Sequence, residues 1–326
     1  MKHWMSLLTK QRKIEFAAFA VILVFLFLLP SFSFTTANAM RIAFNIALYA
    51  VFAQVWNLMC GYAGLLSLGQ QLFIGVSGYT TAVLCTSLGL PFALAMLCCG
   101  VVSACMALVL SILLLRMRGM YFAIATWVIS EMVKILFSGW RLVNFAGGML
   151  VRVAPYPTLG QQFLIALALA TVAFILIYAL LHSKLGLGLT AMRDDLDAAE
   201  GLGVNIFKSK TMCFTFCGFI TGLGGSVAYL NRLSVFPNGA FSLDWTIAVV
   251  FSVVIGGIGT TVGPIVGAVI YVMLFNFISR YAGYSNVILG VIAIIVIVLA
   301  PKGIIGTLQN KAGYELFSSR RTSLEP

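Results

Sequence analysis

The chain is a succession of apolar runs about twenty residues long, the length an α-helix needs to cross the ~30 Å hydrocarbon core of a bilayer. Cutting at charges, prolines and glycine clusters gives ten such segments, approximately residues 14–34, 40–59, 68–88, 91–115, 119–138, 161–182, 211–230, 244–258, 264–280 and 285–300. The eighth is short, and Gly256, Gly257, Gly259 and Gly263 blur its boundary with the ninth. In lipid every backbone N–H and C=O must find its partner within the protein, so runs of this length are read as helices. With 61% hydrophobic and 9% charged residues, the 326-residue chain has too little polar surface to face water. It also has no stretch from which to build a separate soluble domain. The reading is an all-α polytopic membrane protein of about ten transmembrane helices, one domain over residues 1–326.

The formal charge of +11 would ordinarily point to nucleic acid or acidic partners, but the basic residues are scattered between apolar runs. They fit the rule that lysine and arginine concentrate in cytoplasmic loops. With a cytoplasmic N-terminus, alternation assigns Lys2, Lys10, Arg12, Lys13, Arg116, Arg118, Lys184, Arg193, Lys208, Lys210, Lys302, Lys311, Arg320 and Arg321 to the inside. Only Arg41, Arg141, Arg152, Arg232 and Arg280 fall outside, with Lys134 inside a span. The asymmetry favours an even number of spans and cytoplasmic N and C termini. Membrane lipid is the partner this implies, and nucleic acid is not.

The N-terminus has the layout of a secretory signal: basic residues, an apolar run from Ile14 to Leu29, then Ala37-Asn38-Ala39 as a small-residue cleavage site. That run is long for a signal core and more spans follow, so it is read as a retained first helix. The seven cysteines, Cys60, Cys85, Cys98, Cys99, Cys105, Cys213 and Cys217, form no CxxC or Cys/His pattern and are read as small buried hydrophobes. Cys213 and Cys217 share a helical face but lack the further ligands structural zinc takes, so no metal site is expected.

Two loops are substantial, an outer one over 139–161 and a cytoplasmic one over 183–210. The second carries Asp194, Asp195, Asp197 and Glu200. A short helix is predicted there from Thr190 to about Leu202, with Thr190 as cap and Gly203 as stop. On it Met192, Leu196 and Ala199 line one face, and Arg193, Asp197 and Glu200 another. Such a helix suits docking into a groove on a partner protein. A helix resting on the membrane surface is the alternative, although anionic headgroups repel clustered acids.

Within this loop Asp197-Ala198-Ala199-Glu200-Gly201-Leu202-Gly203 resembles the E-A-A-x-x-x-G signature of permease subunits of ATP-binding-cassette importers, with Asp at the first position. The flanking AMRDD and LGVN are similar to the version in permeases for branched-chain amino acids. GYAGLLSLGQ at 61–70, RMRGMYFAIAT at 116–126, VVIGGIGTTVGPIVGA at 253–268 and PKGI at 301–304 extend the likeness over most of the chain in family order. The resemblance implies a second permease subunit, homologous or identical, two cytoplasmic ATPase subunits and a periplasmic or extracellular substrate-binding protein, in the plasma (inner) membrane of a prokaryote. It implies that Arg193, Asp194, Asp197, Ala198, Ala199, Glu200 and Gly203 belong to the ATPase-coupling helix. It also implies two inverted five-helix halves, although the halves show no sequence match. No G-x-x-x-x-G-K-[ST] phosphate loop occurs, so the chain is not read as an enzyme. ATP and Mg belong on the partner ATPases, and no cofactor is expected on this chain.

Gly61, Gly64 and Gly69 beside Gln70 and Gln71, and the glycines from 256 to 263 ahead of Pro264, are places where helices break or backbones approach closely. Either a substrate route or tight packing accounts for them. Glu131 and Lys134, three apart in the fifth span, can pair, lining a route for polar cargo or neutralising each other structurally. Gln70, Gln71, Glu131 and Lys134 are therefore the candidate pathway residues. Asn144 to Gly148 reads NFAGG where the resembled permeases carry a fuller Thr-Gly-Gly stretch. Branched-chain amino acids lead as cargo, with other small amino acids, urea and short amides behind.

Two other classes share part of this pattern. Gly75-Val76-Ser77-Gly78 matches the GxSG pattern of rhomboid proteases, but that chemistry needs a histidine base, and neither His3 nor His182 falls near Ser77 in the span assignment. An ion-coupled secondary transporter would share the composition and span number. The acid-rich loop separates the two readings.

Overall fold

The structure is a computed structural model and describes residues 15, 17–31, 36–117, 119–278, 285–299 and 302–312. Lys2, Lys10, Arg12, Lys13, Arg118, Arg280, Arg320 and Arg321, on which part of the orientation rests, lie outside the described residues, as do His3 and Pro301.

The apolar runs fold as helices: α1 (Ala17–Leu28), α2 (Ala37–Asn57), α3 (Gln70–Ala82), α4 (Phe92–Leu114), α5 (Met120–Gly139) and α6 (Leu159–Leu181). Two short helices, α7 (Lys184–Asp194) and α8 (Leu196–Gly201), precede α9 (Ile206–Arg232). The chain continues through α10 (Pro237–Ala240), α11 (Leu243–Gly256), α12 (Gly263–Ile278), α13 (Ser285–Leu299) and α14 (Gly303–Ala312). Among the described residues, six stretches are long and apolar enough to cross a membrane: Ala37–Tyr62, α4, α5, α6, α9 and Pro237–Gly256. The chain is a helical membrane protein.

Helix starts follow local chemistry. Thr36 caps α2, Asn205 caps α9 and Ser242 caps α11, each side chain accepting an otherwise orphaned backbone N–H. Thr158 and Gln161 close a reciprocal capping box at α6. Beyond α2 the chain winds on as a wider π turn, Leu58–Tyr62, and beyond α3 as another, Val83–Ser87.

α9 is central, packed against α2, α3, α4 and α6. Its small residues make this possible, because lipid supplies no hydrophobic drive between helices and close backbone approach must hold them. A Cβ at Gly218 would lie 2.7 Å from Ala107 of α4, and one at Gly225 would lie 2.8 Å from Ser77 of α3. α2 packs against α6, α11 and α12 as well as α9, burying Phe52 and Trp56.

Three sequence expectations change. The third apolar run, expected over 68–88, is helical only from Gln70, because Trp56 Nε1 donates to Ser67 O at 2.8 Å and Leu68 N donates to Thr126 Oγ1 at 3.0 Å. Those bonds hold residues 67–69 in a non-helical path. Four of the cysteines are the small buried hydrophobes expected, but Cys105 is exposed on α4 and Cys60 and Cys98 are partly so. The all-α reading also omitted a small sheet: β1 (Met149–Leu150) pairs antiparallel with β2 (Ser234–Val235), Met149 opposite Val235. Loop backbone groups need partners once packed, and these strands supply them.

Candidate functional site

The acid-rich loop forms two helices where one was predicted. Ser183 caps α7 by accepting from Gly186 N at 3.4 Å, whereas Thr190 sits inside the helix with its hydroxyl on the carbonyls of Gly186 and Leu187. Asp195 is the break. Its backbone is extended, and its Oδ1 accepts from Asp197 N at 3.0 Å and Ala198 N at 3.1 Å, starting α8. An aspartate in a short polar stretch offers the backbone this alternative to continuing a helix. α8 stops where Gly203 turns to φ +84, as predicted for a glycine after a helix end, and Gly203 N donates to Glu200 O at 2.9 Å.

The two faces separate as the periodicity implied. Leu189, Met192 and Ala199 are buried, and Leu196 packs beside them, while Arg193, Asp194, Asp197 and Glu200 are exposed. Ala198 lies on the exposed side as well. One feature was missed: Leu202, just past α8, is 82% exposed beside the acids. Helical spacing from Ala199 would put it on the buried face, but α8 ends at Gly201, one residue before it.

Arg193 reaches back from this surface. Its Nη1 donates to Gly61 O at 2.7 Å, and its Nε and Nη2 donate to Asp194 Oδ1 at 2.9 and 2.8 Å. Gly61 belongs to the π turn that ends α2, so the α7–α8 pair is pinned to a membrane helix. The adjacent surface ion pair contributes about 0–1 kcal/mol. Its larger effect is to aim the guanidinium.

The four pathway candidates form two separate sets. Gln70 Nε2 donates to Thr221 Oγ1 at 2.8 Å, and the Thr246 hydroxyl donates to Gln71 Oε1, so both buried amides join α3 to its neighbours α9 and α11. Glu131 and Lys134 pair in a salt bridge on α5 and are partly exposed. The rest of α5's outward surface, including Tyr121, Ile124, Trp127, Val128 and Ile135, is also exposed. A largely apolar cavity of about 750 Å³ lies elsewhere, between α1, α2, α6 and α12, with Gln54 among its walls. Ser77, the would-be nucleophile, is fully buried with its hydroxyl 3.0 Å from that of Ser103, while His182 Nδ1 lies 2.8 Å from Tyr178 O. That is a packing serine.

Residues 38–301 match a protein-family model described as "Branched-chain amino acid transport system / permease component". The chain belongs to this family. The matched stretch runs from α2 through α13, so the α7–α8 pair and its anchor on Gly61 lie inside it. The permease is similar to the high-affinity branched-chain amino acid transport system permease protein LivM of Salmonella typhimurium, 27% identical over 301 residues that cover 82% of this chain and 70% of the relative. It is also similar to LivM of Escherichia coli, 26% identical over 291 residues, 79% of this chain and 68% of the relative. A shorter likeness, 30% identity over 127 residues, or 38% of this chain and 39% of the relative, is to the ribose import permease protein RbsC of Escherichia coli. No solved structure matches the chain. The permease is a multi-pass membrane transport component, and its family is not one of catalytic enzymes.

Proposed function

We propose that this permease forms the translocation pathway of an ATP-driven importer for branched-chain or other small amino acids. It works with a second permease subunit, homologous or identical, two cytoplasmic ATPase subunits and a periplasmic or extracellular substrate-binding protein, in the plasma (inner) membrane of a prokaryote. The observation that carries the reading is the α7–α8 pair, buried through Leu189, Met192 and Ala199 and presenting Asp194, Asp197, Glu200 and Leu202 outward. That is a surface built to be gripped by another protein. The chain has no phosphate loop, so ATP and Mg sit on the ATPases, whose approach pushes the pair and switches the membrane helices between inward and outward opening.

In this reading α1 to α6, α9, α11, α12 and α13 cross the bilayer as two inverted halves, residues 183–210 and both termini being cytoplasmic. The lysine and arginine asymmetry, and the presence of a helix within each of the ten apolar runs among the described residues, support it. The exposed face of α5 turns toward the second permease subunit and the route of the cargo, because an ion pair such as Glu131–Lys134 is costly against lipid and tolerable beside protein or water. Gln70 and Gln71 brace the wall behind it. Branched-chain cargo rests on the relatives named LivM, which align over about four-fifths of the chain where the ribose permease aligns over 38%.

The deciding experiment is uptake of radiolabelled leucine into proteoliposomes holding the complete importer. ATP-dependent uptake that disappears with an ATPase-dead partner supports the reading. Uptake by this chain alone down an ion gradient would replace it with a secondary transporter.

A further inference from the structure

The α7–α8 pair does not reach the membrane helices through α2 alone. Arg193 binds Gly61 O, and Gly61 is itself pressed against the turn between α11 and α12: a Cβ on Gly61 would stand 2.6 Å from Gly259 N and 2.9 Å from Gly259 Cα. Asn57, the last residue of α2 before its π turn, ties that turn down with both ends of its amide. Its Nδ2 donates to Thr260 O at 2.9 Å, and its Oδ1 accepts from Gly259 N at 2.8 Å. One turn further on, the hydroxyl of Tyr62 lies 3.3 Å from that of Thr261. Asn57 is 3% exposed, so these bonds are shielded from competing water.

The turn is also fastened from its far side. Gly257 and Gly259 have φ of +126 and +75, and a Cβ on Gly303, the first residue of α14, would stand 2.4 Å from Gly257 Cα. The 257–261 turn is therefore a junction on which the ends of α2, α11, α12 and α14 converge, and α7 enters it through one guanidinium. The π turn at Leu58–Tyr62 is a rare helical form, of a kind found frequently at functional sites.

We propose that Asn57 is the positioning residue that couples the α7–α8 pair to α12, by holding the 257–261 turn and the Arg193-bound π turn as one rigid piece. This rests on the proposed ATP-driven function. Asn suits the task because it must donate to one backbone group and accept from the next. Asp keeps only the acceptor, and Leu keeps neither at similar size.

The test uses the complete importer, purified through this chain, with hydrogen exchange followed in the 184–203 and 257–263 segments before and after trapping with ATP and vanadate. In the wild type both segments change on trapping. In Asn57→Leu the change in 184–203 persists and that in 257–263 is lost, and ATP hydrolysed per leucine imported rises at least ten-fold. Arg193→Lys, which keeps the charge but loses the planar fork that reaches Gly61 O and Asp194 together, shifts both readouts the same way, and the double variant with Asn57→Asp is no worse than the stronger single one. A merely structural role for Asn57 would reduce the yield of complex without separating the two segments. A response of 257–263 retained in Asn57→Leu overturns the coupling role alone. A wild-type complex in which neither segment responds overturns the ATP-driven function and the coupling role with it.

Discussion

Gly222 of α9 lies flush against Ser103 of α4, so that a Cβ on the glycine would stand 2.6 Å from the serine Oγ and 2.7 Å from the carbonyl of Cys99. The contact belongs to a stripe with Gly218, which meets Ala107 of α4, and Gly225, which meets Ser77 of α3. Gly222→Leu therefore forces α4 and α9 apart. Overpacking of this kind costs about 1–3 kcal/mol, which thermal unfolding in detergent reads as a lowered midpoint. Gly290 on α13, with open space around its Cβ position, tolerates the same change and is the control.

Asp195 starts α8 by accepting two backbone N–H groups, so Asp195→Ala costs about 1 kcal/mol of local stability and frays α8 without disturbing α7. Hydrogen exchange should quicken over residues 196–201 and stay unchanged over 184–194. Asn at this position keeps an acceptor oxygen and restores protection.

The exposure of Leu202 beside Glu200 makes a sharper expectation of the partner surface. Leu202→Ser leaves the permease folded, since the side chain packs on little of its own chain. It lowers recovery of the ATPase in pull-down with this chain by about ten-fold, as truncation of a docked apolar anchor does. Unchanged recovery would mean that the ATPase grips elsewhere.

Gly203 has open space around it and a φ of +84, so its requirement is conformational and not steric. Gly203→Ala costs about 1–2 kcal/mol, and Gly203→Asn less, because asparagine adopts the left-handed region more readily. ATP-coupled leucine uptake should follow the order Gly, Asn, Ala while the amount inserted in the membrane stays level, as quantified by blotting of washed membranes.

Glu131 and Lys134 neutralise each other on α5. Glu131→Gln leaves the ammonium on α5 without its carboxylate and lowers the expression level, whereas Glu131→Gln with Lys134→Met removes both charges and recovers most of it. If the pair also lines the route of the cargo, the double variant inserts normally and still fails to import leucine. Full import by that variant would make the pair structural.

Much of this molecule was legible in its sequence because bilayer physics leaves few choices. A twenty-residue apolar run must satisfy its own backbone, so the segments that become α2, α4, α5, α6 and α9 were readable from hydropathy alone. The acid-rich loop was equally plain, since charges stand out in a chain that has so few, and its inner and outer faces followed from helical spacing. What spacing did not show was the break at Asp195, because aspartate is compatible with both a helix turn and a cap, and the choice depends on where α9 needs the chain to return.

The sequence by itself determined that this chain lives in a membrane, which runs are helical, and where its acid-rich loop lies, because each of these depends on residues that are neighbours along the chain. Only the tertiary structure decided that Gln70 and Gln71 brace helices against each other, that Ser77 pairs with Ser103, and that Asn57 and Arg193 meet at the turn of Gly259. Those contacts join residues up to 203 positions apart, and no local pattern carries such a distance. A buried polar side chain reads the same in sequence whether it faces cargo or another helix. Its partner, supplied by the fold, is what assigns its role.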